Sequence, residues 1–145
     1  MIRKRIYVVI AEMVDTPDKA VVPSGVVVQV PGRMAAQGGH ALSRMKMHRL
    51  LNILERCAGA KKQARQIADE KFTTIWKSCR DTKELNHVIQ LLNRAKIAWY
   101  DFEDENPEIY GYWHPRTAIA TVPVNPERVE GVLDYLPLWT PEGKS

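Results

Sequence analysis

The sequence predicts an α/β fold, one sheet with helices packed on it. Runs rich in β-branched and aromatic residues recur along the chain, stretches with helical spacing separate them, and turn-forming residues punctuate the junctions. At 145 residues the chain has the length of one domain and can bury enough surface to fold without a disulfide or a metal. Hydrophobic residues at 45% and charged residues at 26% exclude wholesale disorder. Cys57 and Cys79 are too few for a disulfide scaffold and lack metal-ligand spacing, so both read as buried small hydrophobes. No apolar run approaches the ~20 residues of a membrane-spanning helix. Arg3, Lys4 and Arg5 precede the apolar IYVVIA, but Glu12 interrupts that run and no small-residue cleavage site follows. The segment therefore reads as a strand, not a signal peptide, and the expected compartment is cytoplasmic.

RIYVVIAEM (5–13) is the first expected strand, broken by Thr16-Pro17-Asp18. AVV (20–22) and VVVQV (26–30) flank Pro23-Ser24-Gly25, which predicts a small hairpin over 20–30. Pro31-Gly32 ends that unit. A long helix follows from about Arg33 to Arg56, then Ala58-Gly59-Ala60 and a second helix over 61–70. FTTIWKSC (72–79) is the next strand. Asp81 is a helix N-cap with Glu84 in the capping-box position, and Leu85, Val88, Ile89 and Leu92 form the apolar stripe of the helix they start. IAWYDF (97–102) and TAIATV (117–122) are the last strands. A closing helix is expected from Asn125, with Pro126 at its first position, a staple between Val124 and Val129, and a stripe of Val129, Val132, Leu133 and Leu136.

The net charge of +4 hides two opposed regions. Between positions 33 and 65 stand Arg33, Arg44, Lys46, Arg49, Arg56, Lys61, Lys62 and Arg65, opposed only by Glu55. A one-signed basic stretch on helices is the footprint of a phosphate-backbone binder, or else a solvated helix face. Asp101 to Glu108 holds Asp101, Glu103, Asp104, Glu105 and Glu108 with no basic residue and reads as a polar loop.

The start of the long helix, PGRMAAQGGHALSRMKMHR, carries the residues with chemistry. At ~100° per residue, Arg33, Gln37, His40 and Arg44 fall within a wedge of about 60°. Gly38 and Gly39 each cost about 1 kcal/mol inside a helix, which calls for a compensating close approach by a ligand or by another backbone. A tight fit of this small-residue face on the sheet, with His40 merely on the surface, accounts for the same pattern. Further on, Tyr110, Tyr112 and Trp113 with His114 and Arg116 form an aromatic-basic cluster suited either to stacking an unpaired RNA end or to packing at a loop base. Met34, Met45 and Met47 read as helix packing.

GRMAAQGGHA resembles the G-K-x-A-A-Q-x-x-H-A signature that opens the first helix of type II peptidyl-tRNA hydrolases. FTTIWKSCRDTKEL is similar to that family's second strand and the helix start after it. Tyr100-Asp101 stands at the end of the third strand, where the family has an aspartate, and VEGVLDYLPLW (129–139) is similar to the closing helix and its apolar tail. The resemblance covers roughly residues 5–14 and 31–139. Arg33 replaces the family lysine, residues 15–30 are an insertion, and Phe102 to Glu108 replaces the family's residues after its aspartate. In the last two respects the chain resembles the divergent hydrolase-domain-containing branch.

The resemblance implies a single three-layer α/β/α domain with a four-stranded mixed sheet, forming a homodimer. It also implies an esterase that frees tRNA from peptidyl-tRNA with no metal or other cofactor. On that basis Asp101 would activate water, Gln37 and Arg33 would donate to the carbonyl or the terminal phosphate, and His40 would position substrate or move a proton. Thr117 would orient Asp101 or the water. Arg44, Lys46, Lys61, Lys62 and Arg65 would bind the acceptor arm of the tRNA. The other reading is a non-catalytic RNA- or protein-binding module on the same fold.

Overall fold

The computed structural model describes residues 3–15, 25–56 and 61–140. Along the chain run β1 (Arg5–Asp15), β2 (Val26–Val28), α1 (Pro31–Arg56), α2 (Lys61–Asp69), β3 (Thr73–Asp81), α3 (Thr82–Arg94), β4 (Trp99–Glu103), α4 (Pro107–Tyr110) and β5 (Arg116–Thr121), then one 3-10 turn over Pro126–Val129. All five strands belong to one sheet. β1 pairs parallel with β3, and the other pairings are antiparallel. Met13 pairs with Asp81 on one side and Val28 on the other, so β2 joins β1 on the flank where β5 also pairs, further towards the end of β1.

The mixed sheet agrees with expectation, but its strand number does not. The fifth strand, β2, comes from the 15–30 insertion. Val26–Val28 pairs with Met13–Asp15; residues 20–22, the other arm of the expected hairpin, lie outside the described residues. β1 outruns β5 at this end, and its exposed ladder of hydrogen-bonding groups accepts a short strand.

β1 is buried on both faces, which explains its nearly continuous apolar run. Ile6, Val8 and Ile10 pack with Met34, Ala41 and Met45 of α1, while Tyr7, Val9 and Ala11 pack with Leu85, Val88, Ile89 and Leu92 of α3. Alternate residues of one strand thus anchor two separate clusters. Asp81 caps α3 as expected, its Oδ1 accepting from Glu84 N at 2.8 Å, but the reciprocal bond differs: Glu84 Oε1 accepts from Arg80 N at 2.9 Å, one residue before the N-cap N–H that a capping box uses.

The closing helix is not formed as expected. Asn125 makes no side-chain cap bond, and the 3-10 turn ends at Val129. Gly131 then adopts φ 73°, and its N–H donates to Asp134 at 2.8 Å, which turns the chain away from helix. The apolar residues keep their role: Val129, Leu133 and Leu136 are buried in the α3-side cluster with Val132 packed on it. Residues 137–139 then line the outer edge of β3, with Ser78 N donating to Pro137 O at 3.1 Å and Trp139 N to Trp76 O at 2.9 Å.

Gly38 and Gly39 play different parts. A Cβ on Gly38 would stand 2.9 Å from Ile10 Cδ1 and closer still to the Trp76 ring, whereas a Cβ on Gly39 would meet nothing within 4 Å. The tight fit of α1 on the sheet therefore accounts for Gly38 alone. Gly38→Ala is expected to cost about 1–3 kcal/mol through overpacking. Gly39→Ala should stabilise by about 0.5–1 kcal/mol, since it only restores helix propensity. Urea midpoints of the two variants against the parent chain check both signs.

Candidate active site

Gly38 brings α1 onto the sheet, and the residue before it, Gln37, is drawn into the interior with it. Gln37 is only 3% exposed. Its Nε2 donates to Asp104 Oδ2 at 3.0 Å, and Arg33 Nε, one turn earlier on the same face, lies 3.8 Å from the same oxygen. Asp104 is itself buried, at 9% exposure. A carboxylate so enclosed needs a cation and a donor beside it, and α1 supplies both.

Asp104 follows Phe102 by two residues and so lies on the side of β4 that meets α1. Tyr100 and Phe102 pack on the α1-side cluster and Trp99 on the α3-side one. The ladder to β5 then shifts register between Phe102 and Glu103. After this irregularity Asp104 N donates to Pro115 O at 2.8 Å, and its side chain turns inward under α1. Asn106 begins α4 by accepting from Glu108 N at 3.1 Å, with Pro107 at the first helical position. That one turn of helix carries Tyr110, which is buried and stands edge-on to Trp113 at 5.9 Å.

The carboxylate beside Gln37 is therefore Asp104, not Asp101. Alternation puts Asp101 between Tyr100 and Phe102, off the face that meets α1. One of its oxygens accepts from Arg116 Nε at 2.7 Å and the other lies 3.4 Å from Arg44 Nη1. Arg116 also lies over the Trp99 ring, 5.1 Å from its centroid. Asp101 thus closes a part-buried ion-pair group with Arg116 and Arg44 and does not meet Gln37 as expected. His40 is exposed and stacks on Phe102 at 4.9 Å, and His48 stacks on Tyr100 at 4.8 Å. A cleft of about 430 Å³ opens here between Arg44, Phe102, Glu103 and Glu105.

Thr117 is fully buried. Its Oγ1 finds no hydrogen-bond partner among the described residues, and the same holds for Gln37 Oε1 and Tyr110 Oη. The aromatic-basic cluster splits into separate parts. Tyr110 and Trp113 pack together, Tyr112 is wholly exposed, and Arg116 joins Asp101.

Of the expected RNA-binding residues, Arg44 is tied to Asp101. Lys46, Lys62 and Arg65 are exposed with no ion pair among the described residues; the Lys61 side chain lies outside them. Arg49 is held by Glu70 at 2.9 Å. Met34 and Met45 are buried, but Met47 is exposed on a groove that also takes in Leu50, Ile67 and Phe72. Burial, followed by the nearby charges of Glu84, Asp81 and Glu12, pushes the Cys79 thiol far up, which fits an inert core residue. Cys57 lies outside the described residues.

No protein-family model matches the chain, and no curated protein matches it.

Burial, and secondly the Asp104 carboxylate, pushes the Tyr110 hydroxyl up to about 12, with Arg33 opposing. An unfolded chain releases that proton near pH ~10 while the folded chain keeps it to about pH 12, so stability should fall as pH rises through this window. Tyr110→Phe is expected to flatten the fall, leaving the part due to Tyr135, whose hydroxyl is also raised by burial. Urea midpoints taken across that pH range for both proteins measure the difference.

Proposed function

We propose that this chain is an esterase of the type II peptidyl-tRNA hydrolase kind, cleaving the ester between a peptide and the 3′ end of tRNA. One observation supports it above the rest: the glutamine of the A-A-Q-x-x-H helix is bonded to a buried carboxylate, with Arg33 beside the pair. In this reading Asp104 takes the role that the resemblance assigns to Asp101. It accepts the proton of an attacking water as oxygen bonds to the ester carbonyl carbon. The remaining N–H groups of Arg33 face the developing oxyanion or the terminal phosphate. Gln37 fixes the carboxylate. His40, on the cleft side of α1, meets the incoming end of the substrate.

Charge orients the RNA. The exposed Glu103 and Glu105 repel phosphate at the cleft, whereas Lys46, Lys62 and Arg65 attract it along α1 and α2. The acceptor arm then lies along the two helices with its ester end at the cleft. We further read the two packed faces of β1 as the three-layer α/β/α arrangement of that family, working in the cytoplasm as a homodimer. No helix among the described residues is long and apolar enough to cross a membrane.

The test is release of N-acetylated amino acid from N-acetyl-aminoacyl-tRNA by the purified chain in the presence of EDTA. Release is expected, and Gln37→Ala should slow it about 100-fold, in the range seen when one group of a catalytic constellation is lost. Lys62→Glu with Arg65→Glu should raise KM and flatten its salt dependence while leaving kcat. The close pairing of Asp104 with Arg33 also suits a module that has given up turnover. Salt-sensitive tRNA binding with no release at high protein concentration would establish that reading instead.

A further inference from the structure

A second cavity, of about 370 Å³, opens between α1, α2 and the segment leading into β3, and it shares no lining residue with the cleft beside Arg44. Its volume is at the small end of the roughly 300–1,000 Å³ typical of ligand sites. Ile6 of β1 lines it and is only 2% exposed, so the cavity reaches down to the sheet. Leu50, Ile67 and Phe72 line it half-buried, and Met47 is 63% exposed. Water in such a recess gains little from its walls, whereas an alkyl chain entering it removes apolar surface from water. Charge then selects the other end of the ligand. Of the three charged side chains on the cavity, two neutralise each other: Arg49 Nη1 lies 2.9 Å from Glu70 Oε2. The Arg49 guanidinium also lies over the Phe72 ring, 5.8 Å from its centroid. These contacts tie α1 to the segment between α2 and β3, so the cavity is preformed. Lys46 is the charge left over, exposed and with no ion pair among the described residues. Ser43, three residues earlier on the same helix face, also lines the cavity and offers a hydroxyl beside that ammonium.

We propose that this cavity binds a small anionic amphiphile, an unbranched alkyl carboxylate whose chain lies against Ile6, Met47, Leu50, Ile67 and Phe72 and whose carboxylate accepts from Lys46 Nζ and Ser43 Oγ. The apolar walls supply most of the affinity, and Met47, unbranched and polarisable, adapts to the chain. Lys46 supplies the preference for a negative head group. Because Lys46 is exposed, that preference is modest and falls as salt rises. A cationic head group would meet the unpaired ammonium and find no free carboxylate, since Glu70 is held by Arg49. The site is separate from the Asp104 cluster and does not depend on the hydrolase reading.

The experiment holds the chain constant and changes the head group. Octanoate, 1-octanol and octyltrimethylammonium are titrated calorimetrically into the purified protein at low salt, each below the concentration at which it aggregates. Saturable binding of octanoate is expected, weaker binding of the alcohol, and the weakest of the cation. Lys46→Glu should weaken octanoate by about 10-fold, leave 1-octanol unchanged and bring octyltrimethylammonium above octanoate. Met47→Ser should weaken all three by about 3-fold, since it removes wall and no charge. Both side chains are exposed, so both variants should keep the thermal midpoint of the wild type. No saturable binding of octanoate, equal binding of the three head groups, or an octanoate affinity that Lys46→Glu does not change would overturn the site. The titrations contain no RNA, so each of these outcomes leaves the hydrolase reading where it stands.

Discussion

The close approach of α1 to the sheet at Gly38 is the constraint on which the rest of the site depends. With no side chain there, the helix settles against Trp76 and Ile10. Gln37, its neighbour, is thereby carried inside, where only a polar partner makes its burial tolerable. Asp104 is that partner, and Arg33 offsets the charge that Asp104 brings with it. A helix standing a little further off would leave Gln37 and Arg33 to solvent and Asp104 without compensation. The glycine belongs to the core, yet its effect is felt at the polar cluster.

The polar cluster in turn depends on how β4 ends. Strand alternation puts Tyr100 and Phe102 on the α1 face and carries Asp104, two residues on, to the same side. The ladder to β5 shifts register between Phe102 and Glu103, and Glu103 and Glu105 remain exposed. The acidic segment is thus divided by role. Asp101 closes an ion-pair group with Arg116 and Arg44, Asp104 enters the interior, and the exposed glutamates set the sign of the potential at the cleft. The same segment carries Tyr110, buried beside Trp113.

Features governed by local chemistry were legible in the sequence. The β-branched run of β1, the Asp81–Glu84 cap and the apolar stripe of α3 each follow from residues near one another, and each is present. The face of α1 holding Arg33 and Gln37 was also legible, because helical periodicity places both on one side whatever they meet. What they meet was not legible. Choosing between Asp101 and Asp104 requires knowing which face of β4 meets α1; Tyr100 and Phe102 take that face, which leaves Asp101 on the other. A local signal for the change of course did exist: Asn106-Pro107 is a helix start, and Asp104 lies just before it. The closing helix failed for a similar reason. Its apolar stripe was read correctly, but Gly131 takes a positive φ that ends the helix, and tertiary burial keeps the stripe packed without it. The added strand β2 reflects a free ladder on β1 that only the length of β5 could reveal.

The central claim is that the carboxylate bonded to Gln37 performs the chemistry and the carboxylate three residues earlier, held by Arg116 and Arg44, does not. Comparing Asp104→Asn with Asp101→Asn in the release of N-acetylated amino acid from tRNA tests it most directly, with thermal midpoints confirming that both variants fold. The account predicts that Asp104→Asn loses release by about 10³-fold, as expected for removal of a group that acts in the transition state, and that Asp101→Asn keeps it within a few-fold. Loss of release in Asp101→Asn with Asp104→Asn still active would contradict the account.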